Sequence, residues 1–150
     1  MFLSTATHSI DAKGRTSVPS GFRDAIGEDA AVFVWPSVRG AFLEGGGRAL
    51  MDAIQREIFD RVADGSLTPE DAEAQQVMLL GSAQRLGYDK TGRIVLPDSL
   101  RAHAGLTSSA TFVGLGNRFQ IWSPETHEAR KAAMESRVKA SPLVMGIVRP

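Results

Sequence analysis

A thirteen-residue segment of this chain is written twice. Asp11-Ala12-Lys13-Gly14-Arg15-Thr16-Ser17-Val18-Pro19-Ser20-Gly21-Phe22-Arg23 returns as Asp89-Lys90-Thr91-Gly92-Arg93-Ile94-Val95-Leu96-Pro97-Asp98-Ser99-Leu100-Arg101. Asp11/Asp89, Gly14/Gly92, Arg15/Arg93, Pro19/Pro97 and Arg23/Arg101 are identical, and Val18/Leu96 and Phe22/Leu100 keep their apolar character. Downstream, Gly27 meets Gly105 in the same register. After one extra residue, Ala31-Val32-Phe33-Val34 meets Ala110-Thr111-Phe112-Val113, and Arg39 meets Arg118. Repetition on this scale means one supersecondary unit used twice. Copies of roughly 50 residues stand near the lower limit for independent folding, so they are expected to pack intimately. Whatever the arginine-bearing turn touches, the chain presents that turn in two places.

Composition narrows the function classes. With 150 residues and 43% hydrophobic content, the chain can bury a sizeable core. Seventeen basic and seventeen acidic residues cancel. A basic face is still compatible with that balance, but affinity for a polyanion should be modest per subunit and salt-sensitive. The absence of cysteine excludes disulfides, thiolate nucleophiles and cysteine-ligated metals. There is no charged leader followed by an apolar run, and no stretch approaches the ~18 apolar residues of a membrane span. The reading is a soluble chain without an export signal, and no membrane partner.

Each copy reads strand, strand, helixlet, strand, strand. Phe2 to Ile10 alternates weakly and enters a turn at Asp11-Ala12-Lys13-Gly14, where glycine suits positive φ and aspartate can accept backbone N–H groups. Arg15 to Val18 is a short strand ended by Pro19, whose fixed φ suits the start of a helixlet running to Gly27. Ala30 to Trp35 and Gly40 to Leu43 are expected to form a hairpin, followed by a flexible joint at Glu44-Gly45-Gly46-Gly47. In the second copy the strands are Gln84 to Tyr88, Arg93 to Leu96, Thr111 to Leu115 and Phe119 to Trp122, with the helixlet at Pro97 to Ala104. Between the copies, Leu50, Met51, Ile54, Ile58 and Val62 recur at helical spacing, a stripe for core or subunit contact. Thr68-Pro69-Glu70-Asp71 and Ser123-Pro124-Glu125 are helix starts. The apolar run at 143–148 could cap the core or dock on another subunit.

The paired turns Asp11 to Arg15 and Asp89 to Arg93, with their trailing proline and arginine, resemble the MraZ family. The likeness extends to Leu-Leu-Gly-Ser-Ala at Leu79 to Ala83, His-Ala-Gly-Leu at His103 to Leu106, and a closing helix. It implies an α+β fold: two AbrB/SpoVT-like ββαββ repeats forming a small barrel-like β core, with connecting and C-terminal helices. The expected division is 1–47 for the first repeat, 48–82 for a helical connector, 83–123 for the second repeat and 124–150 for the C-terminal helix and tail. It also implies a bacterial regulator of the division and cell-wall gene cluster, in the cytoplasm and at the nucleoid. Such a regulator binds double-stranded promoter DNA at short guanine-rich direct repeats as a homo-oligomeric ring, an octamer or dodecamer. Lys13, Gly14 and Arg15 match the family's DNA-contacting turn, and Arg93 matches its second copy. Lys90 follows its aspartate by one residue instead of two, and Thr91 takes the lysine position, which puts the second turn's DNA contact in question.

The residue types suit this chemistry. Arginine's planar fork can bind guanine O6 and N7, while lysine suits phosphate as a flexible point charge. Two residues apart on a projecting hairpin, Lys13 and Arg15 would share a face, and Gly14 would let the backbone approach; Arg23 is a weaker candidate. The plainer alternative is a surface ion pair between Asp11 and Arg15, and for Arg23 and Arg101 a salt bridge fixing the helixlet. Enzyme readings fail on their motifs. His8, His103 and His127 share no metal-ligand spacing, Gly114-Leu115-Gly116 lacks the third glycine of a dinucleotide fingerprint, and no Gly-Lys-Ser/Thr follows Gly45-Gly46-Gly47. The expectation is therefore a non-enzyme without cofactor or metal. The competing class is an oligomeric scaffold or antitoxin-like subunit whose helices bind a protein partner.

Overall fold

The computed structural model describes residues 1–141, so the apolar run at 143–148 lies outside the described residues. The first copy supplies β1 (Thr5–Ser9), β2 (Arg15–Ser17), α1 (Ser20–Ile26), β3 (Ala31–Pro36) and β4 (Leu43–Gly46). Helices α2 (Arg48–Ala63) and α3 (Pro69–Gln75) follow, the latter continuing as a wider π-helical turn over Gln76–Leu80. The second copy supplies β5 (Gln84–Gly87), β6 (Arg93–Val95), α4 (Asp98–Ala104), β7 (Ser109–Gly114) and β8 (Phe119–Trp122), and α5 (Pro124–Ala140) closes the chain. The expected α+β class and the element order of both copies hold.

The copies interleave. One antiparallel sheet runs β1-β7-β8-β4-β3-β5, and a second ladder pairs β2 with β6. The first strand of each copy thus pairs with the third strand of the other, β1 with β7 and β5 with β3. Within a copy only β3 pairs with β4 and β7 with β8. Every other ladder, β1–β7, β3–β5, β4–β8 and β2–β6, joins one copy to the other, so the first two strands of each copy have no partner without its counterpart. The expected hairpin of β1 and β2 is replaced by this exchange: the two strands leave their turn into different ladders.

Sheet and ribbon enclose one apolar core. Phe2, Phe22 of α1, and Phe112 and Phe119 of the second copy meet there, with Phe22 5.1 Å from Phe119 and 5.3 Å from Phe2. Each buried phenylalanine contributes on the order of 1.5–3 kcal/mol. Val18, Ile94, Leu96 and Leu100 close the ribbon side of the core.

The helix starts behave as read. The Thr68 side chain accepts the Asp71 N–H, and the Ser123 side chain accepts that of Thr126. Arg130 of α5 covers the Trp122 ring at 4.0 Å, and Trp122 stacks on Phe42 at 4.2 Å, which clasps α5 to the sheet. Of the α2 stripe only Ile58 is buried, and the helix leaves the adjacent Phe59 72% exposed.

The predicted joint at Glu44 to Gly47 is instead mostly β4, buried between β3 and β8. Glycine here makes room instead of conferring flexibility. A Cβ on Gly45 would lie 2.6 Å from Phe119 Cζ and 2.9 Å from the Phe33 carbonyl oxygen. Gly45→Ala is accordingly expected to destabilise the fold by about 1–3 kcal/mol through overpacking, read as a lower urea midpoint with an unchanged slope.

Candidate nucleic-acid interface

The same turn is built twice around an aspartate. Asp11 Oδ1 accepts the N–H groups of Lys13 and Arg15, each at 2.9 Å, and Asp89 Oδ1 accepts those of Thr91 at 2.9 Å and Arg93 at 3.0 Å. The second carboxylate oxygen accepts from arginine Nε, at 2.6 Å for Arg15 and 3.3 Å for Arg93. The expected ion pair is therefore present in both copies, on half-exposed side chains where such pairs add little stability. Its consequence is orientation. With Nε engaged, the guanidinium is anchored to the turn, and its terminal nitrogens keep N–H groups to donate.

The turns are braced from across the molecule. Val18 N–H donates to the Gly92 carbonyl and Leu96 N–H to the Gly14 carbonyl, both at 2.8 Å. Gly92 lies beneath Arg23, where a Cβ would come 2.5 Å from the guanidinium carbon; Gly14 lies beneath Arg101, at 3.2 Å. Both glycines have φ near +85°, at 85° and 83°, which also favours glycine. Arg23 Nε donates to the Val18 carbonyl and Arg101 Nε to the Leu96 carbonyl. The helixlet arginine of each copy thus clamps the other copy's turn. Arg101 also pairs with Asp98, the helixlet salt bridge anticipated from sequence, whereas the Arg23 contacts are with backbone.

Between the turns lies the β2–β6 ribbon, in register Arg15↔Val95, Thr16↔Ile94 and Ser17↔Arg93. Thr16 and Ile94 are buried, so Arg15, Ser17, Arg93 and Val95 form the outward face. The two arginines stand diagonally on it, about 7–8 Å apart at the backbone. Lys13 and Lys90 are exposed in the flanking turns, one in each copy. The fold brings together Lys13, Arg15, Lys90 and Arg93, while Gly14 is buried and Arg23 is half-buried in bracing the turn. Ser17 and Val95 join the face although motif comparison passed over them. Counting two residues from each arginine along a strand would have found them.

The second turn differs where its lysine is missing. The Thr91 hydroxyl donates to Asp89 Oδ1 at 2.7 Å, so this position closes the turn instead of offering a cation. That hydroxyl, followed by the Arg93 backbone N–H, holds the Asp89 carboxyl well below the usual carboxylate range. For Asp11 the Arg15 backbone N–H and then its side chain do the same more mildly. Because both folded-state values are depressed, this contribution to turn stability is complete above about pH 4 and is lost as pH falls further, through the folded-state values. Amide chemical shifts of Lys13, Arg15, Thr91 and Arg93 are expected to titrate with midpoints below the ordinary aspartate value near 3.9, Asp89's turn lower than Asp11's. Midpoints near 4 in both turns would show that the clamps are absent in solution.

Comparison with known proteins bears on this geometry. Residues 79–141 match the family described as "MraZ protein, putative antitoxin-like". The chain is 39% identical over 140 residues to the transcriptional regulator MraZ of Xanthobacter autotrophicus, covering 92% of this chain and 87% of that one. It is 41% identical over 133 residues to the protein of that name from Caulobacter vibrioides, covering 88% and 83%, and 42% identical over 134 residues to that of Phenylobacterium zucineum, covering 89% and 81%. With such identity along most of both chains, and with the paired turns in place, this protein belongs to the MraZ family.

Proposed function

We propose that this chain is a sequence-specific DNA-binding transcriptional regulator, acting as a repressor of the division and cell-wall gene cluster and of its own promoter. The observation that carries this reading is the ribbon face with two aspartate-oriented arginines flanked by Lys13 and Lys90. A two-stranded ribbon fits the major groove, and each arginine fork can take guanine O6 and N7. Lys13 and Lys90 contact phosphate, and guanine-rich direct repeats are the matching sequence. Arg23 supports the face through the Gly92 turn.

One subunit's turns supply few phosphate contacts, and a chain of zero net charge adds no long-range attraction, so one subunit binds weakly. Assembly compensates: in a homo-oligomeric ring on repeated sites, avidity can exceed single-site affinity by ~10²–10⁴. An apolar surface suited to assembly lies on the connector helices. A groove of about 620 Å³ between α2 and α3 is lined by Ile58, Phe59, Val62, Pro69 and Ala72, and Val77 and Met78 are exposed beyond it. Bound across a promoter in the cytoplasm, at the nucleoid, such a ring represses by occlusion. A protein-interaction scaffold would use the same groove and leave Arg15 free to vary, so the two readings part at the arginine.

Arg15→Ala is expected to weaken selective binding to the upstream DNA by about 10- to 100-fold, measured by fluorescence anisotropy over a salt series with oligomer size unchanged. Asp11→Asn should also weaken selective binding, although it removes a negative charge, because the arginine loses its orientation. Absence of selective binding by the assembled wild type at low salt would favour the scaffold, whereas full selective binding by both variants would remove Arg15 as the base-reading residue. Phe59→Asp is expected to reduce particle mass in light scattering and to lower DNA affinity by the lost avidity, with circular dichroism unchanged. Retention of full mass would remove the α2 groove as the assembly surface.

A further inference from the structure

The outward face of the ribbon carries one residue that charge and hydrogen bonding leave unexplained. Val95 is 53% exposed, on a strand of three residues whose inward neighbour Ile94 is 1% exposed. It lies directly across the ladder from Arg15. The Val18→Gly92 and Leu96→Gly14 hydrogen bonds fix which pairs along this ladder exchange backbone bonds. Arg15/Val95 and Ser17/Arg93 fall on the intervening non-hydrogen-bonded pairs, where the strands approach to about 4.5 Å and side chains stand closest. The Val95 isopropyl group and the Arg15 guanidinium stem are therefore side by side on the exposed face.

The repeat makes this placement informative. Ser17 in the first copy occupies the position of Val95 in the second, and Ser17 stands across from Arg93 as Val95 stands across from Arg15. The two arginines are equivalent; their neighbours are not. A serine hydroxyl can face either a donor or an acceptor, whereas an apolar group in the major groove has one favourable contact, the C5-methyl group of thymine. Resting on the DNA-binding reading above, we propose that Val95 is a specificity-determining residue. It packs on the methyl group of a thymine beside the guanine read by Arg15, while the Arg93/Ser17 half of the face has no methyl preference. The pseudo-symmetric ribbon then reads an asymmetric step, which sets one orientation on the DNA.

The test begins with duplexes selected by the wild-type protein from a randomised pool. Each thymine of the preferred duplex is replaced in turn by deoxyuridine, which removes only the C5-methyl. One replacement, next to an essential guanine, is expected to weaken wild-type binding about 3- to 4-fold, the value of one buried methyl group. Val95→Ser should bind the thymine and deoxyuridine duplexes equally, and Val95→Ile should restore the difference. Two results overturn the assignment while leaving the regulator reading intact: selective binding in which no thymine methyl matters, or a methyl dependence that Val95→Ser retains. Failure of the wild type to select any sequence overturns both readings. Position 95 is exposed, so circular dichroism and light scattering are expected to match wild type for both variants.

Discussion

The structure depends on the reciprocal grip of each copy on the other's turn. Val18 and Leu96 donate their amides across to Gly92 and Gly14, and Arg23 and Arg101 lie over those same glycines. Removing one grip leaves a buried carbonyl without its partner and a turn without its cover, a cost of about 1–3 kcal/mol for the hydrogen bond alone. This exchange forces β2 against β6, and β2 against β6 places Arg15 and Arg93 on one face. The site is therefore a product of the fold's central crossing, not an appendage to it.

The same crossing explains why the core arginines and the outward arginines have separate duties. Arg23 and Arg101 spend their Nε donors on main-chain carbonyls and their planes on glycine surfaces, so they hold shape. Arg15 and Arg93 spend only Nε, on a carboxylate in their own turn, so they stay half-exposed and oriented. Two arginines eight residues apart in one repeat thus answer to different constraints. Glycine at 14 and 92 permits both, supplying the left-handed turn and the flat surface for the opposing guanidinium.

Duplication also gave the molecule room to diverge. The turns share aspartate, glycine and arginine, but Thr91 closes the second turn with its hydroxyl where Lys13 leaves the first one charged. Ser17 and Val95 differ at matching outward positions. None of these changes touches the buried alternation through Thr16 and Ile94, so the two faces can specialise without disturbing the ladder. The connector helices, by contrast, belong to neither copy and leave Phe59, Val77 and Met78 exposed.

How much was legible in the sequence follows from the range of the forces involved. The turn at Asp11 to Arg15, the left-handed glycine, the proline-started helixlet and the Thr68 and Ser123 caps were all readable, because each is decided by neighbours within four residues. So was the equivalence of the two copies, and with it the pairing of Arg15 with Arg93 as like parts. The partner of each strand was not. Local alternation favours a hairpin between β1 and β2 as readily as the exchange that occurs, and only the shared core of Phe2, Phe22, Phe112 and Phe119 selects the exchange. The glycines at 45 and 46 looked like a joint because their lack of a side chain is silent about what approaches; Phe119 of the other copy fills the space at Gly45, and Leu50 of α2 that at Gly46. By itself the sequence determined the turns, the caps and the duplicated unit. The tertiary structure alone decided that the two turns meet on one ribbon, because long-range backbone pairing and aromatic packing have no signature within a single copy.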